Sequence, residues 1–255
     1  MTVLAGVDLA WSGRKPTGIC VVRLEPSGAR LERLECLPNA GAEDVADVLN
    51  ALGPDVVAAI DAPLIVGPAR RAEAELARAF GSRGVYAYAA RQDFLDRHGI
   101  TEGPKLGELL RASGWSLDGT NPDGPGLHAL EVFPHATTVS LLGADRALRY
   151  KKGPLAARLG PLAEFQARLR DYAAAHLPCL FDDPAGALVE PPALTSGRAL
   201  KDLEDRLDAV ACVLAAHHAH RFGSPGLLLF GDAENGYIAV PRPFEPTSAP
   251  APSSP

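Results

Sequence analysis

Cysteine is scarce in this 255-residue chain: Cys20, Cys36, Cys179 and Cys212 are the four present, with no CxxC pair among them. A structural zinc site or a disulfide framework needs cysteines at paired spacings, so neither is expected and a reducing cytoplasm is the default compartment. No apolar run approaches the roughly 18 residues that a membrane helix needs, so no membrane association is expected. The opening Met-Thr-Val-Leu-Ala carries no basic stretch ahead of an apolar run and does not read as a secretory signal. GxxxxGK[ST], GxSxG and a GxGxxG following a strand are all missing, which removes the common phosphate loops and the hydrolase nucleophile elbow. Positive charge is in short supply: 25 Lys and Arg face 31 Asp and Glu, a formal charge of -6. Sequence-blind nucleic-acid binding draws on Lys and Arg neutralising phosphates, and the net field here opposes it. Only five of the basic residues are Lys, so the adjacent pair Lys151-Lys152 stands out.

What is present is enough apolar material for a sizeable core, 47% of residues, in a length that suits one large domain. Three short strands joined by turns open the chain: VLAGVDL, TGICVVRL after Gly13–Pro16, and residues 30–37 after Pro26–Gly28. Such spacing predicts an antiparallel meander. Val45, Val48, Leu49 and Leu52 recur at helical spacing before Gly53-Pro54, and VVAAI at 56–60 has the continuous apolar character of a buried parallel strand. Residues 68–112 read as helical with breaks at Gly81, Gly84 and Gly99, and 113–127 as a loop. LHALEVF at 127–133 is a further strand; helices are expected at about 161–176 and 202–221, with a Pro-rich loop over 178–197 between them. Two short strands near 227–230 and 237–240 follow. The order predicts an α/β fold with a mixed sheet flanked by helices. We expect one domain over 1–241, an insertion at about 66–126, and a disordered Pro/Ser-rich tail at 242–255.

Acids stand where strands stop: Asp8 after VLAGV, Asp61 after VVAAI, and Glu131 inside LEVF. An acid abutting an apolar strand is costly to bury unless paired or metal-bound. Ligands of open α/β sheets gather at the carboxyl ends of strands. Each acid alone could instead cap a turn, Asp8 toward Trp11-Ser12-Gly13 and Asp61 toward Pro63. Asp205 and Asp208, three apart in DLEDRLDAVACVLAAHHAH, share a face at the entrance of a helix that is small or apolar nearly all round. With Asp202 as N-cap, Asp205 would fall at N3, where the helix dipole favours an acid. Asp208, deeper in the helix, calls for a cation. The set suggests a carboxylate site for hard divalent ions such as Mg²⁺ or Mn²⁺. A pair of such ions could activate water and steady the leaving oxygen of a phosphodiester.

VDLAWSG, AIDAPL, EVFPHAT, LEDRLDAVACVLAAH and GYIAVP together resemble domain-of-unknown-function family 429 across most of residues 1–241. Members of that family are usually described as predicted nucleases of the ribonuclease H fold. The resemblance implies a ribonuclease H-like sheet with a closing helix, and DRLDAVA is similar to the Asp-x-x-Asp helix of Holliday-junction resolvases. It further implies that Asp8 bridges the metals, that Asp61 fills the second acidic position where resolvases usually place Glu, and that Asp208 and Asp205 are the helix ligands. Glu131 matches the family pattern without a settled role, as a metal ligand or an ion-pair partner. The implied function is a metal-dependent nuclease, with nucleic acid recognised by structure rather than held tightly by charge.

Other residues carry both a functional and a structural reading. His135, just past a strand end, could protonate a leaving group or cap the next helix. His217, His218 and His220 end the long helix, where polar and cationic groups suit the dipole, and no acid or Cys accompanies them. Arg149, Lys151 and Lys152 form a basic segment that could face phosphate or lie on a solvated surface, and Arg70-Arg71 is a weaker version. Trp11 could stack on a base or cover the turn. Two other functions compete with the nuclease. Sugar kinases and actin-like ATPases also begin with an Asp-bearing hairpin, loosely like DLAWSGRKPTG, which would imply phosphotransfer from ATP. A non-catalytic scaffold, with structural acids, is the third.

Overall fold

The computed structural model describes residues 1–13, 15–193 and 196–243, so residues 244–255 of the expected tail lie outside the described residues. Strands β1 (Val3–Asp8), β2 (Thr17–Glu25) and β3 (Gly28–Leu37) form the meander. Helix α1 (Ala42–Asn50) then crosses to β4 (Val56–Ile60), and after α2 (Ala72–Phe80), α3 (Gln92–His98) and α4 (Glu102–Ala112) the chain enters β5 (Leu127–Glu131). Helices α5 (Pro134–Ser140), α6 (Leu155–His176) and α7 (Gly197–Phe222) precede a separate hairpin, β6 (Leu227–Asp232) with β7 (Gly236–Pro241).

The main sheet has the order β3-β2-β1-β4-β5, with β1, β2 and β3 antiparallel and β1, β4 and β5 parallel. This mixed five-stranded sheet with helical layers is consistent with a ribonuclease H-like arrangement. Alternate residues of each strand sort to the two faces. Leu4, Val57, Ala59 and Leu130 join the α6 and α7 side; Val3, Ala5, Val7, Val56, Ala58, Ile60 and Ala129 join the side of α1 and α4. Because β4 is covered on both faces, it reads as a continuous apolar run. The segment 66–126 contributes to both layers: α4 packs on α1 beneath the sheet, and α2 packs on the β6–β7 hairpin with Leu76, Phe80, Ile238 and Val240 in a third cluster.

Two helix starts differ from expectation. Helix α6 begins at Leu155, with Pro161 inside it. A proline there withholds only one N–H, the one that would bond the Ala157 carbonyl, and the helix runs through. Helix α7 begins at Gly197, where the Ser196 hydroxyl accepts the Ala199 N–H at 3.0 Å. Asp202 is therefore not the cap, and Asp205 is two turns inside the helix rather than at N3. Among the described residues, no helix is long and apolar enough to cross a membrane.

Candidate functional site

The register of the sheet sets two acids side by side. Val7 pairs with Ile60 across the parallel β1–β4 ladder, and the Asp61 N–H donates to the Val7 carbonyl at 2.8 Å. Asp8 and Asp61, one residue further on, emerge at the carboxyl ends of adjacent strands. By the two-residue alternation both face α7.

Helix α7 brings the other pair. It lies very close to the sheet because Gly6 and Gly18 have no side chains. A Cβ on Gly6 would collide with the Ala209 carbonyl and the Val213 N–H; one on Gly18, which pairs with Asp8, would collide with the Asp205 carbonyl. Backbone against backbone, the helix presents Asp205 and Asp208, 1% and 0% exposed, to the strand ends.

Lysines stand among these carboxylates. The Lys151 ammonium lies 2.9 Å from Asp208 Oδ2 and 3.9 Å from Asp61 Oδ2, and Lys201 pairs with Asp205. Tyr150, fully buried and stacked on Phe165, donates its hydroxyl to Asp208 Oδ1 at 2.6 Å. Arg158 fixes the same segment: its Nε donates to the Tyr150 carbonyl at 2.6 Å, and its other end pairs with Glu204. Lys151 is thus a counter-ion of the acid cluster rather than part of a surface basic patch, as the sequence had suggested. Its neighbours Arg149 and Lys152 are exposed.

The electrostatics show a deficit of positive charge. Burial, opposed by Lys151 and reinforced by Asp208, Asp61 and Asp205, holds the Asp8 carboxyl well above the usual range. Burial likewise pushes Asp61 up to about 7 and raises Asp205. Lys151 loses hydration on burial, yet Asp208, Asp8, Tyr150 and Asp61 more than offset that and hold it well above its ordinary value. Fully ionised, the four carboxylates would outnumber the ammonium groups of Lys151 and Lys201 by two; the raised Asp8 and Asp61 carboxyls hold protons instead. Asp208 Oδ2 is met by the Lys151 ammonium, and Asp205 lies within hydrogen-bonding reach of Asp8, so the two carboxyls are placed to share a proton. No group of three or more His, Cys, Asp or Glu is arranged to hold a metal ion among the described residues. The donor set itself is all oxygen and, once its protons leave, anionic, which is the chemistry a hard divalent cation satisfies.

Glu131 does not join the cluster. Its register partner is Ile60, whose side chain points to the α1–α4 face, so Glu131 points away from Asp61 and α7. There Arg70, with a side chain 1% exposed, grips it with two N–H groups at 2.5 and 3.1 Å, and the Leu64 N–H donates to it at 3.1 Å. Glu131 is an ion-pair partner that anchors the chain leaving β4. His135 packs between Phe133 and Tyr150, at ring distances of 5.4 and 5.1 Å. Burial pushes it down to about 4, helped by Lys151 and Lys152, so the ring is neutral near pH 7 and has no proton poised for a leaving group. Trp11 donates its Nε1 to the Asp61 carbonyl at 3.3 Å and packs beside the α1–α4 core.

Of the motifs quoted above, all but GYIAVP lie in order along one matched stretch: the model of the family described as Protein of unknown function (DUF429) matches residues 6–233. The chain belongs to the DUF429 family. No curated protein and no solved structure matches it. The family boundary encloses every member of the acid cluster. It also encloses three residues that the sequence alone did not assign to it: Tyr150, Lys201 and Arg158. A signal for the first was available, since Tyr150 directly precedes the rare Lys151-Lys152 pair; for Arg158, seven residues after Lys151, there was none.

Proposed function

We propose that this DUF429 protein is a metal-dependent nuclease that cleaves a phosphodiester at the cluster of Asp8, Asp61, Asp205 and Asp208. The observation that carries this reading is that buried carboxyls from β1, β4 and α7 lie close enough to raise one another's pKa, with the ammonium groups of Lys151 and Lys201 among them. Mg²⁺ or Mn²⁺ is the group that answers this need, held by Asp8, Asp61, Asp205 and Asp208. When bound, such ions lower the pKa of water and stabilise charge on the leaving oxygen.

The chain's own residues divide the remaining work. Tyr150 and Arg158 orient Asp208 and the loop that carries Lys151. Lys151, partly exposed at 28%, can turn its ammonium from Asp208 toward a phosphate oxygen once another cation answers the carboxylates.

The test is thermal unfolding with and without Mg²⁺ or Mn²⁺, followed by cleavage of single-stranded, hybrid and branched oligonucleotides. The reading expects ion-dependent stabilisation that is lost in Asp8→Asn and Asp208→Asn, and cleavage lost in the same variants. Absence of any divalent-ion shift refutes it, and a further shift with ATP and Mg²⁺ would instead favour phosphotransfer.

A further inference from the structure

Beside the acid cluster, and sharing Asp61 with it, lies a cleft whose walls are largely apolar. Trp11, Pro63, Tyr88 and Phe133 are its flat or aromatic lining residues. Besides Asp61, the lining holds Glu73 and Glu131, which share the single buried guanidinium of Arg70. Tyr88 is 63% exposed, unusual for a large aromatic side chain, and belongs to the short segment between α2 and α3. The Lys152 ammonium sits 5.4 Å from the centre of the Tyr88 ring, is exposed, and makes no ion pair among the described residues.

We propose that an unpaired nucleobase stacks on the exposed Tyr88 ring at the mouth of this small cleft, while Lys152 meets a phosphate of the same strand. The proposal rests on the nuclease reading of the adjacent cluster and names its substrate class as single-stranded or unpaired nucleic acid. Three features converge on that occupant. An exposed aromatic ring offers a face that any base can stack upon, and a cation held over that ring supplies the charge a neighbouring phosphate needs. The cleft also shares Asp61 with the carboxylate cluster, so a strand laid along it carries its backbone past that residue. A base inside a duplex has both faces covered by its neighbours and cannot enter without being flipped out.

The experiment is fluorescence anisotropy with an end-labelled single-stranded oligothymidylate and with a duplex of the same length, without Mg²⁺ or Mn²⁺ so that nothing is cleaved. Wild-type protein is expected to prefer the single strand, Tyr88→Ala to weaken that binding by about 10-fold or more, and Tyr88→Phe to retain most of it because the ring remains. Lys152→Gln should weaken binding and flatten its salt dependence. Since Tyr88 is largely exposed, the variants are expected to fold, and circular dichroism checks this. Absent binding in the wild type, equal binding of duplex, or a Tyr88→Ala variant with unchanged affinity overturns the proposal. Tyr88-dependent binding without any cleavage upholds the cleft and refutes the nuclease reading. Cleavage with KM untouched by Tyr88→Ala does the reverse.

Discussion

Replacing Lys151 by Met keeps the length and apolar stem of the side chain and removes only its charge. In the wild type that charge lies 2.9 Å from Asp208 Oδ2 and 3.9 Å from Asp61 Oδ2. At an effective dielectric of about 20, unit charges at those separations attract by about 5.7 and about 4.3 kcal/mol. Several kcal/mol of this offsets the cost of stripping water from the ammonium, which leaves a net loss of about 3–5 kcal/mol when the partner is deleted. The carboxylates have an escape, because a proton can replace the missing cation. Asp61, pushed up to about 7 by burial, is already largely protonated below that pH. The folded variant therefore binds more protons than the folded wild type, and its relative stability must fall as pH rises. We expect Lys151→Met to lose about 3–5 kcal/mol at about pH 8 and about 1 kcal/mol at about pH 5. Urea unfolding of both proteins at the two pH values measures this directly. A loss that does not change with pH, or one below about 1 kcal/mol at the higher pH, refutes Lys151 as the counter-ion of the cluster.

Three other outcomes are expected. The raised folded-state pKa of Asp61, about 7, means that metal-free stability falls as pH climbs from the ordinary carboxylate range through 7; the Mg²⁺- or Mn²⁺-induced rise in Tm should accordingly be larger at about pH 8 than at about pH 5.5, and equal shifts would argue against the ion replacing protons on this carboxyl. Glu131→Gln removes one of the two carboxylates on the buried Arg70 guanidinium, leaving Glu73 and the Ile65 carbonyl, and should cost about 1–3 kcal/mol in denaturant unfolding, yet leave a divalent-ion shift intact, since Glu131 faces away from α7; loss of the shift would place it in the cluster after all. Gly18→Ala drives a Cβ into the Asp205 carbonyl and should lower stability by about 1–3 kcal/mol or more, with a reduced ion shift as α7 lifts off β1; an unperturbed Tm would show that the helix can yield.

The meander, the buried β4 run and the closing helix were legible because each carries its own period: turns between short strands, a continuous apolar stretch, and an apolar helical face. Residues 227–230 and 237–240 read as two strands for the same reason, and fold within β6 and β7. Helix ends were less legible. A serine cap at Ser196 lay upstream of the apolar pattern, so α7 starts five residues before Asp202 and the N3 explanation of Asp205 fails. Pro161 looked like a first helical residue and is an interior one. Asp8, Asp61 and Asp208 were visible as site candidates because a carboxylate beside an apolar strand or within an alanine-rich helix face is locally unexplained. Glu131 had the same local appearance and a different fate. Nothing within LHALEVF states which face of the sheet its acid will take.

Alone, the sequence determined the elements, the family and the short list of acids, since these follow from local periodicity and from motifs read in order. Tertiary structure decided which acids meet. Parallel register put Asp8 beside Asp61 and turned Glu131 to the opposite face, and bare backbone at Gly6 and Gly18 let α7 approach until Asp205 and Asp208 reached the strand ends. It also decided what the rare lysines do. Lys151 lies 143 positions from Asp8 and 57 from Asp208 in the chain, and only folding brings one charge to compensate both. Desolvation by the surrounding core makes that compensation matter, because a charge that water would screen on an extended chain must here be answered by another charge.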